Sequence, residues 1–206
     1  MIVRGEQRTV IQGPAGALEV VTNLPESAPR SIALVAHPHP LHGGTLDNKV
    51  VQTLAKTFAA LGYVAVRFNF RGVGRSEGSF DEGVGETDDA LAALAFARQE
   101  FAEVAAKPPV LAGFSFGSYV QTRVARTLKP ERMVLVGAAV GRFPVDPVPD
   151  DTIVIHGEED DVVPLADVLA WARPQQLPVI VFPGCGHFFH GRLAQLQRVI
   201  AGAWQR

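Results

Sequence analysis

Gly113-Phe114-Ser115-Phe116-Gly117 sets a serine between two phenylalanines and two glycines. This is the G-x-S-x-G pattern that presents a serine hydroxyl on a sharp turn between a strand and a helix. The flanks suit such a turn: the apolar run Pro109-Val110-Leu111-Ala112 leads in, and helical spacing leads out from Ser118. Glycine two residues before and after the serine removes the bulk that would hold strand and helix apart. The chemistry expected at this point is nucleophilic attack by Ser115 on an acyl carbonyl. The backbone N–H of Phe116 would face the oxyanion that forms.

A serine hydroxyl is a weak nucleophile and needs a base. A serine on such a turn is followed in the chain by Asp or Glu and then by His. Two downstream segments suit. His156-Gly157-Glu158-Glu159-Asp160-Asp161 follows a strand-like run and offers four acids, and Gly184-Cys185-Gly186-His187-Phe188 follows the last such run. His187, flanked by glycine, is favoured as base over His190, which lies nearer the start of the last helix. Cys185 is read as a small packing residue, because nothing pairs a base with it apart from His187.

These residues need a scaffold that carries them to one edge. Short apolar runs at 31–36, 63–68, 109–113, 132–137, 152–156 and 179–182 read as strands buried on both faces. Helical spacing fills the intervals at 50–61, 87–101, 118–128 and 165–171, and again at 192–204. Repeated strand–helix alternation predicts an α/β domain with a mostly parallel central sheet and helices on both faces. The first 25 residues differ. Thr9-Val10-Ile11 and Leu18-Glu19-Val20-Val21, around Gly13-Pro14-Ala15-Gly16, predict an antiparallel hairpin at one edge. The chain of 206 residues suits one domain spanning 1–206. The Pro-rich stretch from Phe143 to Asp150 is a loop, too short for a lid.

Composition removes several function classes. A formal net charge of −2 gives no basic surplus for nucleic acid. No apolar run approaches the roughly 20 residues needed to span a bilayer. Residues 1–6 lack the pattern of a secretory signal, so a cytoplasmic location is expected. A single cysteine forms no internal disulfide and is compatible with a reducing compartment. His37, His39 and His42 share one loop but lack a separate carboxylate or thiolate at plausible spacing, so no metal is expected. Gly72-Val73-Gly74 falls short of a dinucleotide loop.

Taken together, the sequence resembles the α/β-hydrolase superfamily from about Ser31 onward, and more narrowly the small lidless hydrolases related to dienelactone hydrolase. His156-Gly157-x-x-Asp160-x-x-Val163-Pro164 resembles the acid loop of that group, which selects Asp160 as the triad acid. Gly186-His187-Phe188 resembles its histidine loop, and Asn69-Phe70-Arg71-Gly72-Val73-Gly74-Arg75-Ser76 its D-x-R-G-x-G-x-S segment. Asn69 stands in place of the usual aspartate, with a structural role expected. His37-Pro38-His39-Pro40-Leu41-His42-Gly43-Gly44 stands where the group has its oxyanion loop. Pro38 and Pro40 have no N–H, which leaves His39 or Leu41 as second oxyanion donor, with Leu41 preferred. The resemblance implies a serine hydrolase without cofactor, acting on a small acyl ester. A thioester, an amide, or acyl transfer to another acceptor would use the same groups. Dienelactone hydrolases carry a cysteine nucleophile, so the serine here argues against dienelactone itself. The rival from another class is a non-catalytic binding protein on the same fold.

Overall fold

The computed structural model describes residues 5–204. Residues 1–4, on which the leader-free reading of the N-terminus partly rests, lie outside the described residues. The strands are β1 (Glu6–Gly13), β2 (Gly16–Asn23), β3 (Ile32–Ala36), β4 (Val64–Phe68), β5 (Val110–Phe114), β6 (Arg132–Val136), β7 (Ile153–Gly157) and β8 (Val179–Phe182). They form one eight-stranded sheet in the order β1-β2-β4-β3-β5-β6-β7-β8. β1 and β2 pair antiparallel in a hairpin closed by Gly13 opposite Gly16, and β2 runs antiparallel to β4. Every pairing from β4 to β8 is parallel.

Strands β3, β4, β5 and β7 are buried along their whole length. This is why each reads as an apolar run, interrupted by a polar side chain only at Arg67 in β4 and His156 in β7. Alternate residues feed the two sides: Ile32, Leu34 and Ala36 pack on one face, Ala33 and Val35 on the other. Helices α1 (Lys49–Ala60) and α5 (Leu193–Trp204) cover the second face with Leu54, Phe58, Leu196 and Ile200. Helices α2 (Val84–Glu100), α3 (Phe116–Val124) and α4 (Leu165–Ala172) cover the first. No helix among the described residues is long and apolar enough to cross a membrane.

Two helix starts differ from the sequence expectation by more than one residue. α2 begins at Val84, ahead of Thr87, because the Glu86 carboxylate accepts the N–H groups of Asp81 and Gly83 at 2.8 and 2.7 Å. α3 begins at Phe116 immediately after the turn, and ends at Val124 instead of continuing to Leu128.

The edge hairpin is tied to the site-bearing loops by polar contacts. Asn69 donates to Glu19 of β2 at 2.7 Å and accepts the Leu46 N–H at 2.8 Å. Buried Arg67 holds the Leu46 carbonyl and pairs with Glu6. Arg71 is forked onto Asp89 of α2 at 2.9 and 3.1 Å. It therefore bridges a loop and a helix.

The chain leaves β3 to build β4 on one side, then returns to place β5 on the other. Loops leaving the C-terminal ends of β3 and β5 consequently diverge and open a crevice, the usual binding place in such sheets.

Candidate active site

Ser115 sits at that crevice, between β5 and α3. Its backbone has φ 55° and ψ −121°, a conformation that costs energy for a non-glycine residue and persists only where the surroundings impose it. The Ser115 N–H is fixed to Val136 O of β6 at 2.9 Å, and the Ser115 carbonyl accepts the Ser118 N–H at 2.9 Å. A Cβ on Gly117 would strike the Ala36 carbonyl of β3, and one on Gly113 would strike the Gly117 backbone. Both glycines are thus required by close backbone approach.

Ser115, His187 and Asp160 come together in one hydrogen-bonded chain. Ser115 Oγ lies 3.0 Å from His187 Nε2, and His187 Nδ1 lies 2.7 Å from Asp160 Oδ2. All three are nearly buried. Asp160 follows β7 and His187 follows β8, so successive strand ends carry them to the serine. The other oxygen of Asp160 accepts the N–H groups of Val162 and Val163 at 2.9 and 2.7 Å. Burial alone would raise the Asp160 pKa. The hydrogen bonds from His187 and Val163 outweigh it, and the carboxyl sits below its ordinary range. The His187 ring lies between Phe114 and Phe188 at centroid distances of 4.9 and 5.1 Å. Gly137, at φ 54°, makes room for it; a Cβ there would come within 3.2 Å of His187 Cε1.

The other candidates fall elsewhere. His190 is exposed and stacks on Phe188, away from Ser115. Glu158 accepts the Gly184 N–H. Cys185 is buried, and burial pushes its thiol pKa up. His156 is fully buried; its Nε2 meets the Val163 carbonyl at 2.8 Å and lies 3.4 Å from Asp160 Oδ2. Burial lowers its pKa, which disfavours a positive charge on this ring beside Asp160.

The loop after β3 requires a correction. The sequence favours Leu41 as second oxyanion donor, but Pro40–His42 forms a 3-10 turn that leaves Leu41 exposed. The residue is 70% exposed, and its N–H is taken by His39 Nδ1 at 3.2 Å. His39 instead lines the crevice with Ser115 and Phe116. Its carbonyl accepts the N–H groups of His42 and Gly44. The His39 and Phe116 N–H groups meet no protein acceptor among the described residues.

His37, beneath this loop, has both ring nitrogens committed to backbone. Nε2 accepts the Phe70 N–H at 3.0 Å, and Nδ1 meets the Pro38 carbonyl at 2.6 Å. Burial drops its pKa to about 3. A neutral imidazole with no free lone pair binds loop to loop and leaves nothing for a metal.

The crevice has a volume of about 340 Å³. Its walls include Asn48, Ala139, Arg142, Phe143, Val162 and Phe188. The stretch after β6 folds down as one wall: Phe143 stacks on Tyr119 of α3 and packs edge-on against Phe116. Sequence reading missed Asn48, Gly137, Arg142 and Phe143 as site residues. Of these only Asn48 had a local signal, as a good N-cap residue just ahead of a helical pattern.

This sheet, with a serine on the turn after β5 and an imidazole and carboxylate after later strands, defines an α/β-hydrolase. A family model described as serine aminopeptidase, S33, matches residues 36–150, more than half of the chain, and the chain belongs to that family. An α/β serine hydrolase homologue from Coxiella burnetii is 39% identical, covers 98% of each chain and superposes with a TM-score of 0.87. A lidless α/β serine hydrolase from Xanthomonas campestris is 35% identical over 100% of this chain and 96% of its own, with a TM-score of 0.91. An uncharacterized protein of Rickettsia prowazekii is 33% identical over 202 residues, 91% of this chain and 84% of its own.

Proposed function

We propose that the protein hydrolyses carboxylic esters of short acyl chains through an acyl-enzyme on Ser115. The observation that carries this reading is the unbroken chain from Ser115 Oγ through His187 to Asp160, at 3.0 and 2.7 Å, in the crevice. Ser115 attacks the carbonyl while His187 takes its proton. Asp160 holds His187 in the tautomer that leaves Nε2 free to accept, and stabilises the imidazolium. The oxyanion is held by the N–H groups of Phe116 and His39. His187 then gives its proton to the departing alcohol, and a water, deprotonated by His187, releases the acid and restores Ser115. No step calls for a cofactor.

An aminopeptidase is the second reading, on the strength of the family name. Recognition of a free α-ammonium calls for a carboxylate at the site. The crevice is lined by no Asp or Glu among the described residues, and carries Arg142 instead. That charge pattern favours the ester reading over the peptide one.

A p-nitrophenyl ester series tests the proposal. Hydrolysis is expected to be fastest at two to four acyl carbons and to fall with longer chains, and a fluorophosphonate is expected to label Ser115. Absence of both turnover and labelling would sink the reading.

The assignment of His39 has a test of its own. Its φ of −52° is one proline adopts readily. His39→Pro therefore removes the N–H with little backbone strain, whereas His39→Ala removes the ring and keeps the N–H. Loss of an oxyanion donor is expected to lower kcat by about 10²–10³-fold in the proline variant. The alanine variant is expected to stay much closer to wild type. Equal losses in both would assign the effect to the ring.

A further inference from the structure

Resting on the hydrolase reading above, we infer that Arg142 makes this crevice selective for esters that carry a carboxylate or another anion near the scissile bond. Arg142 lies in the wall after β6 and lines the crevice together with Ser115 and His187. Its Nε–H donates to the Val162 carbonyl at 2.8 Å, which pins the guanidinium to the loop following Asp160. Among the described residues it forms no ion pair, and its Nη groups meet no protein acceptor. Arg67 and Arg71, by contrast, are held by carboxylates. Arg142 is thus positioned by one hydrogen bond and free at the fork that recognises planar anions.

The rest of the lining points the same way. No Asp or Glu lines the crevice among the described residues. The nearby Asp160 is committed to His187 and two backbone N–H groups. Two helix N-termini contribute, α3 through Phe116 and α1 through its N-cap Asn48, and both present partial positive charge. A neutral apolar ester needs none of this. An ester whose acid or alcohol half bears an anion uses the guanidinium as an anchor that turns the carbonyl toward Ser115.

Two matched pairs test the inference and show which half carries the anion. Mono-p-nitrophenyl adipate is compared with p-nitrophenyl hexanoate, and 4-acetoxybenzoate with its methyl ester. For each pair the quantity read is the ratio of kcat/KM, anionic over neutral, in wild type, Arg142→Met and Arg142→Lys. The ratio is expected to fall about tenfold or more in the methionine variant for at least one pair. The lysine variant is expected to recover part of it, and added salt to lower it in wild type. If wild type turns over the neutral esters and neither ratio moves in Arg142→Met, the anion anchor is wrong and the hydrolase reading stands. If no ester is turned over and a fluorophosphonate fails to label Ser115, the hydrolase reading falls and takes this inference with it.

Discussion

Replacing Ser115 with alanine is expected to lower kcat toward p-nitrophenyl acetate and butyrate by about 10⁵–10⁶-fold, below detection in an ordinary assay. The substitution removes one atom, the oxygen 3.0 Å from His187 Nε2. It leaves the scaffold of the turn in place, because the Ser115 N–H still bonds Val136 and the close approaches at Gly113 and Gly117 do not involve the hydroxyl. Alanine meets the same positive φ as serine. Thermal unfolding should therefore change by about 1 kcal/mol or less, within the usual range for a conservative change. The separation of the two readouts is what makes the experiment decisive. Lost activity with an unchanged melting curve assigns the nucleophile, and fluorophosphonate labelling should vanish with it. Activity within tenfold of wild type would show that another group attacks. Equal inertness of both proteins toward esters and label would move the weight to a binding role on the same fold.

Much of the scaffold was legible because burial on both faces leaves no room for ambiguity. Ile32–Ala36 and Val110–Phe114 have no exposed position, so the sequence shows plain apolar runs there. Boundaries were less legible where a side chain elsewhere supplies the cap. The start of α2 depends on Glu86 reaching back to Asp81 and Gly83, an effect that apolar periodicity does not record.

The site divides along the same line. Ser115 and His187 stand in motifs whose local spacing reflects the turn each must make, whereas Asp160 is singled out from its three acidic neighbours only by the resemblance of its loop to the family's acid loop. The loop after β3 does not announce its direction. Pro38 and Pro40 could be struck out for want of an N–H, but choosing between His39 and Leu41 required knowing that Pro40–His42 closes as a 3-10 turn. That turn hands the Leu41 N–H to the His39 ring. Arg142 and Phe143 were less legible still. They lie in a stretch without periodicity, and reach the crevice only because Phe143 packs on α3 and Arg142 on the Val162 carbonyl.

Asp160→Asn is expected to cost about 10⁴-fold in kcat, more than the loss of a charge alone explains, because the site dictates which way the amide must lie. One oxygen of Asp160 accepts two backbone N–H groups, from Val162 and Val163. An asparagine must keep its carbonyl oxygen there, since an NH₂ group would set donor against donor. Its nitrogen then occupies the position of Oδ2, 2.7 Å from His187 Nδ1. An amide nitrogen only donates, so Nδ1 must accept and the ring proton is forced onto Nε2. His187 then presents N–H to Ser115 Oγ and has no lone pair with which to take its proton. Asp160→Ala imposes no tautomer, and is expected to retain more activity than the asparagine variant although it removes more of the side chain. Comparing kcat for the two variants, with unfolding curves for each, checks the argument. An asparagine variant within tenfold of wild type, or one more active than the alanine variant, would mean that Asp160 does not control the tautomer of His187.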